Sequence, residues 1–88
     1  MKTYFEESFE KDLRKVKDKS SWKKIKEAIN GVKSSKNLRE IKGLEKLKGY
    51  KTFYRIKAGD YRIGIEIVND KVIFTRFLHR KDIYKYFP

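Results

Sequence analysis

Thr52–Arg80, TFYRIKAGDYRIGIEIVNDKVIFTRFLHR, falls into three runs rich in β-branched and aromatic residues, parted by two short polar breaks. In Phe53-Tyr54-Arg55-Ile56-Lys57, Arg55 and Lys57 are two apart, so both leave the same face of an extended chain. Ala58-Gly59-Asp60 supplies turn residues. Tyr61, Ile63, Ile65 and Ile67 then alternate with Arg62, Gly64 and Glu66, the period-2 pattern of a half-buried strand. Asn69-Asp70 makes a second turn before a third strand, Val72–Arg80. Its parity can place Arg76 and Arg80 with the other cations and Ile73 and Phe77 in the core, an assignment that a bulge would flip. The stretch thus reads as a three-strand antiparallel meander with one apolar and one cationic face.

Outward from the meander, Glu6–Lys17 reads as a helix, with Phe9, Leu13 and Val16 on one face. Glu6, Glu7 and Glu10 near its start and Lys15 and Lys17 near its end suit the helix dipole. Asp18-Lys19-Ser20 breaks it, and Ser20 or Ser21 is the expected cap of a second helix. There Trp22, Ile25, Ala28, Ile29 and Val32 form the apolar stripe, and Ser34–Asn37 ends it. Together the helices predict an αα-hairpin covering the apolar face of the meander. Residues 2–5 suit a short edge strand. Residues 38–51 alternate Leu38, Ile41, Leu44 and Leu47 with lysines, while Gly43 and Gly49 disfavour a long helix. An irregular basic segment pinned by its leucines is expected there, and a short helical turn or tail over Lys81–Pro88. The fold class is α+β: an N-terminal αα-hairpin on a small antiparallel sheet, one domain over residues 1–88.

Eighty-eight residues support one modest core. The chain has no Cys and a single His, so no disulfide, thiolate chemistry or Cys- or His-rich metal site is expected. No apolar run approaches the roughly 20 residues of a membrane span. The acidic turn after Met1 does not resemble a signal peptide, so a soluble cytoplasmic protein is expected. The net charge is +12, and it peaks in the middle: residues 31–62 carry 10 basic and 3 acidic side chains. Such an excess favours a polyanion partner. A lysine-rich surface kept for solubility is the bland alternative.

The glycine spacings fit no phosphate-binding loop, and one His cannot anchor several nucleophilic triads. What remains is a group of cations and tyrosines on a sheet. Such a group can promote cleavage of RNA by its own 2′-hydroxyl without a metal or other cofactor. The reaction needs a proton acceptor, a proton donor to the leaving oxygen, and positive charge at the pentacoordinate phosphate. A lysine crowded by cations gives up its proton more readily, and an exposed aromatic ring can stack on a base.

Tyr54–Ile63, YRIKAGDYRI, followed by Phe77–Tyr84, FLHRKDIY, strongly resembles the RelE/ParE superfamily of bacterial and archaeal toxin–antitoxin modules. Phe9–Leu13, FEKDL, is similar to that family's opening helix. The resemblance spans essentially the whole chain and implies a small α/β toxin that enters the ribosomal A site and cuts mRNA. Carried over by position, it implies Lys57 as proton acceptor beside Arg55, and Arg62 as the phosphate-stabilising arginine. It implies Arg80 as proton donor or electrostatic clamp and Tyr84 as the tyrosine that orients or stacks on the nucleotide. Lys46, Lys48, Lys51, Arg76 and Lys81 are expected to contact RNA. Two departures stand out: Arg55 occupies a position where ribosome-dependent relatives often carry Lys, and the Arg80–Tyr84 spacing is short. The implied partners are the ribosome, mRNA and a small acidic antitoxin. Two other functions fit the same resemblance: ParE-like inhibition of DNA gyrase, and a decayed toxin acting as a binding module. Bland readings stand beside each residue: Tyr84 packed on the last strand, His79 packed toward the helices, Arg62 paired with Glu66, Trp22 in the core.

Overall fold

The computed structural model describes all residues 1–88. Five strands, β1 (Lys2–Phe5), β2 (Leu44–Lys46), β3 (Phe53–Ala58), β4 (Tyr61–Val68) and β5 (Lys71–His79), form one sheet in the order β1-β5-β4-β3-β2. Helices α1 (Glu7–Arg14) and α2 (Lys19–Ser34) cover one face, and a short α3 (Ile83–Tyr86) lies near the chain end.

The meander forms as the alternation predicts. Both hairpins close with two-residue turns, Gly59-Asp60 and Asn69-Asp70. Gly59 (φ 64) and Asn69 (φ 58) take the left-handed conformation such turns require. Ile56, Ile63, Ile65, Ile67, Val72, Phe74 and Phe77 point into the main core with Phe9, Val16, Ile25 and Val32 from the helices.

The third strand departs from simple parity. Gly64 pairs with Arg76 but Ile65 pairs with Phe74, so Thr75 is an extra residue. This bulge lets Phe74 and Phe77, three apart, both enter the core. Ile73 therefore does not join the core as expected; it is half-buried opposite Glu66 on the other face. The bulge also frees ladder groups, and α1 takes them up. Ser8 Oγ donates to the Thr75 carbonyl at 2.6 Å. Asp12 accepts from the Phe77 amide at 2.9 Å. Arg76 closes the unit with two bonds to the Asp12 carboxylate, at 2.7 and 3.1 Å. Ser8 and Asp12 are one turn apart, so polar contacts as well as Phe9 fix α1 on β5.

Other expectations shift at the edges. α1 ends at Arg14, three residues earlier than the pattern suggests. The cap of α2 is Asp18 rather than a serine: its carboxylate accepts the Ser21 amide and both serine hydroxyls. A carboxylate satisfies more donors there and also suits the positive helix end. α1 rests on β5 and α2 on β3 and β1. The link between them is fastened by Trp22, whose indole N–H donates to the Val16 carbonyl at 3.0 Å. The sheet is not wholly antiparallel, because β1 pairs with β5 in parallel. Within 38–51, a single 3-10 turn at Leu38–Glu40 precedes the three-residue β2, which pairs with β3.

The face opposite the helices is partly roofed. Leu47, Ile83 and Phe87 make a second small core there, with Phe53 and Leu78 packed against it. The Phe87 ring sits over Gly64, where an added Cβ would lie 2.8 Å from ring atoms. A glycine inside a strand thus marks a close approach.

Candidate active site on the cationic sheet face

The register of β3 and β4 decides which cations meet. Lys57 is directly opposite Arg62, and Arg55 is opposite Gly64. Directly paired residues share a face, so Arg55, Lys57 and Arg62 all stand on the face away from α1 and α2. Their neighbours Ile56 and Ile63 fill the core behind them.

Each cation has a distinct setting. Lys57 is exposed and makes no side-chain bond. Arg62 curls over the adjoining turn and donates to the carbonyls of Gly59 and Tyr61, at 2.9 and 2.8 Å. Those carbonyl dipoles hold it beside Lys57; it does not pair with Glu66, which instead accepts from Thr52 Oγ1 at 2.9 Å. Arg55 donates to Glu45 on β2 at 2.7 Å. Glu45 is 58% exposed but the Arg55 side chain only 15%, so a phosphate reaches the guanidinium by displacing Glu45. Arg55 also lies 5.9 Å from the centre of the Tyr84 ring, within cation–π range. Tyr84 is 64% exposed, so it does not pack on β5; it stands over Arg55 with a free ring face. The short Arg80–Tyr84 spacing still brings this ring to the cationic face. Arg80 is exposed just past β5, its amide bonded to the Asp60 carbonyl at 2.8 Å. That bond ties the end of β5 to the turn over which Arg62 folds.

Among the cations expected to contact RNA, Lys46, Lys48, Lys51 and Lys81 are exposed. Arg76 differs: Asp12 engages it, and the Tyr86 ring centre is 5.9 Å from its guanidinium carbon. The hydrogen bond it donates to Asp12 holds its pKa above the ordinary arginine value, burial opposing only in part. His79 stacks edge-on against Tyr61 at 5.7 Å, and its Nδ1 accepts the Lys81 amide at 3.1 Å. Its ring is taken up by packing.

Sequence reading missed three participants. Glu45, the acid that holds Arg55, sits in an otherwise basic segment and is positioned only by the β2–β3 register. Gly64 seats the segment that carries Tyr84, and a glycine in mid-strand was its signal. Asp12 was indistinguishable from the other acids of its helix.

Comparisons with other proteins place this geometry. The family model described as the ParE toxin of type II toxin–antitoxin systems matches residues 4–84. Toxin RelE3 of Methanocaldococcus jannaschii is 47% identical over 89 residues, covering 100% of both chains. A RelB–RelE antitoxin–toxin complex from Methanococcus jannaschii contains a chain 45% identical, with a TM-score of 0.81 over 97% of this chain and 99% of that one. The YoeB dimer of Staphylococcus aureus, 19% identical with a TM-score of 0.72 over 91% of this chain and 97% of that one, shares the fold. With a full-length relative, a matching family model and a close structural match, this chain belongs to the RelE/ParE superfamily as a RelE-type toxin of a toxin–antitoxin system.

Proposed function

We propose that the protein is a ribosome-dependent endoribonuclease that cuts mRNA without a metal or other cofactor. The observation that carries this reading is the gathering of Arg55, Lys57 and Arg62 on one sheet face, with the exposed Tyr84 ring beside Arg55. In the proposed reaction the ribose 2′-oxygen attacks the adjacent phosphorus and loses its proton to Lys57. Arg62, with Arg55, stabilises the charge that builds on the phosphoryl oxygens. The bond to the 5′-oxygen breaks, Arg80 supplies or stabilises the proton on that leaving oxygen, and a 2′,3′-cyclic phosphate and a 5′-hydroxyl end result. Tyr84 orients the nucleotide by stacking. Lys46, Lys48, Lys51 and Lys81 draw the RNA backbone toward the site. Arg76, already engaged by Asp12, is suited to support the C-terminal segment more than to bind RNA directly.

The same face suits an acidic antitoxin that covers the cations; an antitoxin partner is supported by the RelB–RelE complex in which the 45% identical chain was solved. The ribosome supplies the remaining RNA surface and the cytoplasm the setting; no helix here is long and apolar enough to cross a membrane.

A second reading, inhibition of DNA gyrase, is favoured by the ParE description of the matching family model. Tightly controlled expression followed by mapping of mRNA ends separates the two. Cuts at A-site codons of translated messages are expected. Arrested replication with intact mRNA would favour the gyrase reading, and absence of any toxicity a non-catalytic binding module.

A further inference from the structure

The β2–β3 connection carries a feature that the reaction above does not use. Tyr50 exposes 46% of its surface, yet its ring is fixed: it meets Phe53 edge-on at 5.7 Å. Phe53 in turn meets Phe87 edge-on at 5.6 Å. The loop is braced on both sides. Leu47 is buried in the second core, its amide donating to the Phe53 carbonyl at 2.9 Å, and the Tyr50 amide donates back to the Leu47 carbonyl at 3.3 Å. Gly49, at φ 86, makes the reversal that turns Tyr50 outward. Lys48 and Lys51 flank Tyr50 in the chain, Lys46 pairs with Tyr54 on the helix side of the sheet, and the loop lines a shallow depression of about 400 Å³.

A held, half-exposed aromatic ring flanked by two lysines with no carboxylate partner has the chemistry of a base-stacking platform. Its place extends the active face. Phe53, Arg55 and Lys57 are alternate residues of β3, each about 7 Å from the next on one side. Tyr50 adjoins Phe53 at the far end of that row, so a strand held over Arg55 and Lys57 reaches Tyr50 by passing round the small core that covers Phe53. We propose that Tyr50, with Lys48 and Lys51, forms a second subsite that stacks a base of single-stranded RNA away from the cleaved bond. The choice of RNA as ligand rests on the nuclease reading above; the site itself does not.

The test uses a short fluorescein-labelled 2′-O-methyl RNA, which lacks the attacking hydroxyl, so binding is read apart from cleavage. Anisotropy titrations of the full chain at several salt concentrations compare four proteins. Tyr50→Ala is expected to weaken binding about 5- to 100-fold, the loss of one stacked base, with little change in salt slope. Tyr50→Phe keeps the ring and should bind like the parent. Lys48→Gln with Lys51→Gln should lower the slope of log K against log salt by about 0.7 for each lysine. Unchanged affinity of Tyr50→Ala overturns the subsite, as does a loss of affinity for a polyglutamate peptide in place of RNA. Mapping of mRNA ends with the same variants keeps the two proposals apart. Normal cleavage with unchanged Tyr50→Ala affinity sinks the subsite alone. Tyr50-dependent binding by a protein that never cuts sinks the nuclease reading and leaves the subsite standing.

Discussion

Arg62 and Lys57 face each other across an antiparallel ladder, an arrangement that like charges disfavour. Their pairing persists because the Gly59 and Tyr61 carbonyls take up the Arg62 guanidinium. Residues held together at an electrostatic cost are better explained by a ligand than by stability. Arg62→Ala and Arg80→Ala should therefore lower cleavage of translated mRNA by orders of magnitude. Their thermal midpoints should stay close to the parent's, since neither side chain fills the core. A double variant that still cuts at the parent rate would remove both from the site. Asp12 is the opposite case. It is 5% exposed and satisfies both Arg76 and the Phe77 amide. Asp12→Ala leaves those donors without partners, at a cost of about 2–4 kcal/mol, kept moderate because Arg76 reaches water. Urea denaturation measures this, and a loss under 1 kcal/mol, about the value of an ordinary hydrogen bond, would show that water replaces Asp12.

At the scale of elements, legibility followed pattern length. β3 and β4 run over six and eight residues with clear alternation, β5 is a nine-residue apolar-rich run, and the two turns carry Gly59 and Asn69, so the meander was readable. The bulge at Thr75 was not, because the polar partners that stabilise it, Ser8 and Asp12, lie more than 60 residues away. β2 spans only three residues between two glycines and acquires strand form from its pairing with β3. Arg55, Lys57 and Arg62 were legible as one face by parity alone. That Glu45 holds Arg55 required the β2 register. The cap of α2 was misjudged by position, and it makes a pH-dependent prediction. Hydrogen bonds from Ser21 and Ser20 lower the Asp18 pKa below its ordinary 3.8. The folded state then binds fewer protons than the unfolded one through that window. The stabilisation is present above the ordinary value and is lost as pH falls through the lowered one. Urea midpoints of the parent should drop more steeply on acidification than those of Asp18→Asn, whose neutral cap does not titrate; parallel curves would argue against the cap. For α3, Gly64→Ala sets a methyl against the Phe87 ring. The overpacking should cost about 1–3 kcal/mol and shift the segment bearing Tyr84. Cleavage should fall more than stability explains, which parallel melts and cleavage assays on Gly64→Ala would show.

Over the whole molecule, 24 Lys and Arg meet 12 Asp and Glu. Only three ion pairs form: Lys11–Glu7, Arg55–Glu45 and Arg76–Asp12. Lys11–Glu7 is at the surface and worth little, while each of the other two has one largely shielded partner, Arg55 or Asp12, and is screened less by salt. Most of the cations repel one another with no local compensation, so net repulsion should outweigh surface attraction. Added NaCl then stabilises the fold: the thermal midpoint at neutral pH should rise between low salt and about 0.5 M, where screening acts within a few ångströms. A falling midpoint would mean that attractive pairs dominate and that the positive charge is better balanced than the ion-pair geometry implies. A polyanion adds a second, opposed salt dependence. At low salt it should raise the midpoint further by binding the folded state, because only folding gathers Arg55, Lys57 and Arg62 on one face. Added NaCl should erase that increment while preserving its own. If the increment survived high salt, the contact would not be electrostatic, and a cationic face built for a phosphate backbone would lose its support.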